Sequence, residues 1–339
     1  MKHCLIFIFV LVMVFSEQNC LAQKARPAAK TTVYDAELTN YAYPFPVKFL
    51  PLKLEGQDCK MAYMDVAPAK KSNKPAVMLL HGKNFFGAYW QQTIKFLSAN
   101  GYRVIVPDQI GFGKSTKADI HYSFDQLAQN TKQLLDRLEV KKVIVVGHSM
   151  GGMLATRFTL MYPEITEKLV LENPIGLEDY RQGVPFQSID EAYQKELKNS
   201  EEAIRSYFKT YFPAWKPEYD EWVNVPAAQI PSPDFPKVAK ASALTYDMIF
   251  QQPVVYEFSK IKRPTLLIIG QDDRTVVGKG LVKDKEVLAQ MGQYPALGKQ
   301  TAAAIPNAKL VPFPGVGHIP HLQEPAKFHA TLLQFLEGK

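Results

Sequence analysis

The sequence predicts an α/β protein: a mostly parallel central sheet flanked by helices, with an inserted, mainly helical cap. Three observations carry this. Short aliphatic and β-branched runs recur (Ala76–Leu80, Arg103–Val106, Val143–Val146, Lys168–Glu172, Thr265–Ile269, Leu310–Phe313), as expected of strands buried on both faces. Segments of helical periodicity separate them, the alternation of βαβ units. Over residues 177–253 that alternation stops, and aromatic, charged and proline residues replace it.

Composition narrows the function. The chain has 339 residues, of which 47% are hydrophobic, enough for one large domain or two smaller ones. Its net charge is +7, but Lys and Arg are scattered, with no basic run interleaved with aromatics. Nucleic acid is therefore not implied as a partner.

Lys2 and His3 precede an apolar run, Leu5–Phe15, too short to span a bilayer, and Ala22 offers a cleavage point. Residues 1–22 are expected to be a signal peptide, the protein to be periplasmic or extracellular, and no stable membrane span to remain. The polar residues Glu17, Gln18 and Asn19 argue against lipoprotein anchoring through Cys20. Cleavage leaves Cys59 alone, so no internal disulfide is expected, and Cys59 reads as a small core residue.

Residues 23–40 read as a flexible segment, and Tyr41–Pro46 as a rigid aromatic stretch packed on the domain surface. The core is expected over 41–176 and 254–339, and the cap over 177–253. Val47–Leu54 and Cys59–Val66 read as a hairpin. The strand Ala76–Leu80 runs into His81-Gly82-Lys83-Asn84, with His81 a structural hydrogen-bonder. A helix over Tyr89–Asn100 stops at Gly101. After Arg103–Val106, the tail Gly113-Lys114-Ser115 is not a phosphate loop, because Asp108 stands where that motif needs glycine. Asp108 reads as a turn anchor. Ser123 caps a helix over Phe124–Leu138. Lys168–Glu172 is broken by Asn173-Pro174-Ile175-Gly176. Within the cap, Glu191–Phe212 reads as helical and Pro213–Pro236 as irregular. Val282–Met291 reads as a helix, Gly292–Pro306 as a surface insertion, and Glu324–Leu336 as a closing helix with Pro325 in its first turn.

The chemistry centres on Gly147-His148-Ser149-Met150-Gly151, between the strand Val143–Val146 and a helix over Met153–Tyr162. Strand, Gly-x-Ser-x-Gly and helix together are the context of a nucleophile elbow. A serine hydroxyl needs a base, and the base needs a carboxylate to fix its tautomer. The chain offers Asp272 or Asp273 and then His318, each just past a strand. In a parallel sheet such loops converge on one edge. Oxyanion donors are expected from the Met150 N–H and from the loop after Ala76–Leu80, Lys83 first and Asn84 second. The Lys83 side chain reads as a solvated loop cation, or else as a cation at the pocket mouth that favours acidic substrates. Asn84, His148, Tyr207, Tyr211 and Trp215 are candidates for the substrate pocket. No metal-ligand cluster or glycine-rich cofactor loop is seen, so no cofactor and no metal are expected.

With these residues in place, the chain resembles the α/β-hydrolase fold superfamily, and within it the cap-containing serine esterases and lipases. The likeness covers about Leu52–Glu337 and rests on His81-Gly82, Gly147–Gly152, Gly270–Asp273 and Gly315–His318 in family order. It implies Ser149 as nucleophile, His318 as base, and Asp273 rather than Asp272 as acid; His321 is the competing base. His121 and His329 are read as structural or surface groups, and so is His148, which is also kept among the pocket candidates. The activity implied is hydrolysis of a carboxylic ester of a small apolar or aromatic substrate through an acyl-enzyme. Carbon–carbon bond hydrolysis, cofactor-free haloperoxidase or perhydrolase chemistry, and a non-catalytic ligand sensor are the alternatives. Oligomeric state is not legible.

Overall fold

The structure, a computed structural model, describes Met1 and residues 32–338. The expected signal peptide, Cys20 and the tether up to residue 31 lie outside the described residues. Val33 to Lys339 is one compact unit.

Eight strands form its sheet: β1 (Val47–Leu54), β2 (Gln57–Val66), β3 (Ala76–Leu80), β4 (Val104–Pro107), β5 (Val143–His148), β6 (Thr166–Glu172), β7 (Thr265–Gly270) and β8 (Ala308–Phe313). Their spatial order is β1-β2-β4-β3-β5-β6-β7-β8. β1 and β2 are an antiparallel hairpin, and β2 runs antiparallel to β4. Every pairing from β4 onward is parallel. The central strands are aliphatic at successive positions because both faces are covered. Met78, Leu80, Val143, Val145, Leu169, Leu171, Leu267 and Ile269 pack on one side, while Val77, Leu79, Ile144, Val146, Val170, Leu266 and Ile268 pack on the other.

On the first side lie α2 (Phe124–Arg137), capped by Ser123, and α3 (Met150–Met161), which opens directly after Ser149. On the second lies α1 (Gln91–Ala99). The cap runs through α4 (Ile189–Leu197), α5 (Glu201–Lys209), α6 (Asp220–Gln229) and α7 (Phe235–Gln251). The core resumes with β7, α8 (Lys285–Gln290), α9 (Tyr294–Ala304), β8, the single turn α10 (Pro320–Gln323) and α11 (Pro325–Leu336). Among the described residues no helix is long and apolar enough to cross a membrane.

Three expectations are corrected. The stretch Pro213–Pro236 is not irregular: it holds α6 around Pro226. A proline interrupts one backbone hydrogen bond, but Val223 and Val225 on the same helix are buried, and their packing outweighs the breaker. Gly292–Pro306 is not an insertion but the crossover helix α9, whose Tyr294 is 1% exposed. Residues 33–40, expected to be flexible, are docked on the cap. The Tyr34 N–H donates to Ala228 O (3.0 Å), the Gln229 side chain donates to Asp35 O (2.9 Å), and Leu38 is buried against Val225 and Phe86. Tyr41 and Tyr43 pack on Phe86, so the aromatic stretch does lie on the domain surface.

Candidate active site

Ser149 sits between β5 and α3 at φ 56°, ψ −122°, a left-handed conformation that a serine adopts only when its surroundings force it. Strain of this kind costs about 1–3 kcal/mol. Two glycines make the turn possible. A Cβ on Gly147 would run into the Gly151 backbone, and one on Gly151 would run into the carbonyl of Leu80.

The strand-end loops meet here. The Ser149 hydroxyl donates to Nε2 of His318 (2.9 Å), and Nδ1 of His318 donates to Oδ2 of Asp273 (2.7 Å). Asp273 also accepts the Asn173 side-chain amide and the Thr275 N–H, each at 2.8 Å. Burial pushes its carboxyl upward in pKa, but the adjacent His318 imidazole and these hydrogen bonds outweigh burial and hold it below its ordinary value. Asp272 is exposed. Asn173, at φ 35°, also accepts the Gly270 N–H (2.9 Å), tying the ends of β6 and β7 together. A serine, an imidazole and a buried carboxylate in this chain of contacts can generate a nucleophile at neutral pH.

The proposed oxyanion donors flank the serine. Met150 opens α3, and the Gly82–Lys83 loop follows β3. Gly82 is so close that a Cβ there would stand 3.0 Å from Ser149 Cβ.

Ser149 opens into a cavity of about 480 Å³ roofed by the cap. Lys83, Asn84, Tyr207 and Tyr211 line it, with apolar walls that include Phe86, Phe112, Ile175 and Phe208. Asn84 donates to the Tyr211 hydroxyl (2.8 Å), and the Tyr211 ring stacks on His318 at 4.7 Å. The Tyr211 carbonyl accepts the His318 N–H (2.7 Å), so the cap helps hold the imidazole. The Lys83 side chain is not a solvated loop cation. Its Nζ reaches the cap wall and donates to Ser242 Oγ (2.7 Å).

Two pocket candidates lie elsewhere. Trp215 packs on Phe212 and Tyr219 and donates to Asp220 (3.1 Å), inside the cap's own packing. His148 lies fully buried behind the serine. Its Nε2–H donates to the main-chain carbonyl of His318 (2.8 Å), while Nδ1 accepts from the Tyr89 hydroxyl (3.0 Å). That hydroxyl in turn accepts the Gly82 N–H (3.0 Å). One directional chain thus joins the loop after β3, the elbow strand and the loop that carries His318. Burial lowers the His148 pKa to about 3, so the ring stays neutral with one donor and one acceptor.

Behind this chain, Glu172 accepts the His321 N–H (2.7 Å) and its ring Nδ1–H (2.9 Å). Burial raises Glu172 to about 7 and lowers His321 well below its ordinary value. His321 stacks on Trp90 at 4.1 Å, away from the serine. His81 accepts the Gln109 N–H and donates to Gly82 O, and Asp108 accepts the Gly87 and Lys114 N–H groups, so both are loop anchors. His329 stacks on Phe96, and His121 is exposed. Cys59 is a buried free thiol.

The sequence reading missed Asn173, Thr275, Tyr89, Glu172 and Ser242. A signal existed for two of them: Glu172 is a charge ending a buried strand, and Asn173 follows it in a break that needs a left-handed residue. Thr275 lies two residues from Asp273 but only its backbone N–H takes part, and the Tyr89 and Ser242 contacts join separate segments.

Residues 75–325 match a family whose description is alpha/beta hydrolase fold. A crystal structure of a probable hydrolytic enzyme from Pseudomonas aeruginosa PAO1 is 48% identical, with a TM-score of 0.88, over 90% of this chain and 99% of that one. A 2-hydroxy-6-oxo-6-phenylhexa-2,4-dienoate hydrolase of Burkholderia cepacia is 28% identical over 77% of this chain and 87% of its own length. A bifunctional esterase/perhydrolase of Acinetobacter calcoaceticus is 26% identical over 81% and 95%.

Proposed function

The chain belongs to the alpha/beta hydrolase fold family and is a hydrolase of that family, and from that premise we propose that it cleaves a carboxylic ester of a small substrate with an apolar or aromatic body. The observation that carries the reading is the unbroken contact chain Ser149–His318–Asp273 at the mouth of the cap cavity. His318 takes the Ser149 proton as the hydroxyl attacks the carbonyl. The Met150 and Lys83 backbone N–H groups stabilise the oxyanion. The alcohol leaves with the proton from His318, and water activated by the same imidazole releases the acid. Asp273 orients His318 and offsets its positive charge. The mostly apolar cavity supports the choice of substrate body. The apolar leader in the sequence supports export to the periplasm or beyond. The similarity to a dienoate hydrolase supports carbon–carbon bond cleavage on the same triad as a second reading.

A fluorophosphonate probe is expected to label the wild type and not Ser149→Ala. With a panel of p-nitrophenyl esters, that variant should lose about 1,000-fold or more in kcat. Labelling that survives the substitution would sink the assignment. Turnover of a vinylogous diketone with no turnover of any ester would favour the second reading.

A further inference from the structure

The cavity is lined by more cations than carboxylates. Its lining contains four lysines, Lys83, Lys117, Lys195 and Lys279, against one carboxylate, Glu196. Lys117 is engaged by the carbonyls of Gly113 and Ser115, and Lys195 is exposed. The other two are half-buried and their hydrogen bonds go to hydroxyls: Lys83 to Ser242 Oγ (2.7 Å) and Lys279 to Thr210 Oγ1 (3.1 Å), the Lys279 ammonium also lying 5.7 Å from the centre of the Tyr207 ring. An ammonium has three N–H donors, so Lys83 keeps two with no acceptor among the described residues.

Glu196 does not form an ion pair with Lys83. Ser242 stands between them, its hydroxyl donating to Glu196 Oε1 (3.1 Å) while its oxygen accepts from Lys83. The carboxylate thus orients the serine and with it the ammonium, but leaves the cation unsaturated. Burial pushes both Lys83 and Lys279 down from the ordinary lysine pKa, the sign of an ammonium held in a poorly solvated wall. A charge kept there is costly unless something pairs with it. Lys83 also follows Gly82, the residue packed on Ser149, so its ammonium lies within one lysine side chain of the reacting carbonyl.

From this arrangement, and resting on the ester-hydrolase reading above, we infer that the substrate carries a carboxylate remote from the scissile bond and that Lys83 Nζ holds it, with Ser242 and Glu196 as positioning residues. The substrate is then a half-ester of a short dicarboxylic acid, or an ester whose alcohol bears the acid. Its apolar stem lies along the aromatic wall.

The test uses matched pairs: p-nitrophenyl hydrogen glutarate and adipate against their methyl esters, at low salt. The wild type is expected to show kcat/KM about 10- to 100-fold higher for the free acids, the size of a charge-assisted hydrogen bond in a partly dry site. Lys83→Met should bring that ratio to about one, whatever it does to absolute rates, and Glu196→Gln should raise it. A wild-type ratio near one overturns the inference, as does a ratio that survives Lys83→Met. A ratio lost only in Lys279→Met moves the anion to the other lysine and equally overturns it. If neither ester of a pair turns over, the ester-hydrolase reading fails, and calorimetry on Ser149→Ala decides the anion separately. Monomethyl glutarate should then bind at least about 10-fold tighter than dimethyl glutarate, and equal binding refutes it. Should Lys83→Met not fold, the rise with Glu196→Gln and the wild-type ratio still decide.

Discussion

Ser149 is held in a strained backbone conformation, and its hydroxyl is already bonded to His318. That geometry depends on a residue with no chemical role. His148 carries the carbonyl of His318 on one ring nitrogen and, through Tyr89, the Gly82 N–H on the other side. His148→Phe keeps the bulk and removes both bonds. The expected result is a fall of about 10- to 100-fold in kcat with KM little changed, because a misplacement of about 1 Å costs that much. His148→Gln, which restores a donor, should recover part of the loss. Steady-state kinetics on one p-nitrophenyl ester measures both; a loss confined to thermal stability would leave His148 a packing residue. Of this residue layer, Ser149, His318 and the pair Asp272 and Asp273 were legible because each follows a buried strand, and the family resemblance favoured Asp273 of the pair. Tyr89 was not, because only a folded chain brings its hydroxyl to His148.

At the scale of elements, the elbow is a problem of space. Strand β5, helix α3 and the end of β3 meet with no room for a methyl group at Gly151. Gly151→Ala is expected to cost about 3 kcal/mol or more, because the clash is with backbone and has nowhere to relax. Gly280→Ala, at a position with nothing within 4 Å, is the matched control and should stay within about 0.5 kcal/mol. Urea denaturation of the two variants measures the difference. The core elements follow local pattern closely, whereas the cap and the crossover helix α9 do not. Pro226 in α6 and Gly298 in α9 argue locally against a helix, and burial of Val223, Val225 and Tyr294 decides for one. Residues 33–40 show the same effect: a short stretch with no helical or strand periodicity is fixed by Gln229 and Val225 of α6.

For the molecule as a whole, the buried Glu172 couples stability to pH. Its neighbours are His321, His148 and His318, and burial outweighs them to raise its pKa from 4.5 to about 7. His148 and His321 are both pushed downward and stay neutral in that range. A raised carboxyl pKa means that the folded protein binds a proton which the unfolded chain has released between pH 4.5 and about 7. The Glu172 contribution is therefore most favourable below pH 4.5 and is lost as pH rises through 7, by up to about 3 kcal/mol. Glu172→Gln removes the titration. The stability of the wild type relative to this variant should fall between pH 5 and pH 7.5 in urea melts; a constant difference would mean that Glu172 is already ionised.

The sequence alone determined the parallel core, the elbow and the candidate side chains in the order Ser149, Asp272 or Asp273, His318, because each depends on a few adjacent residues obeying local rules. Tertiary structure decided what surrounds them: that His148 turns away from the cavity, that Lys83 reaches the cap instead of solvent, and that the cap's Tyr211 holds the base. Those outcomes rest on contacts between residues more than a hundred positions apart, and no local pattern encodes which distant group will arrive within 3 Å.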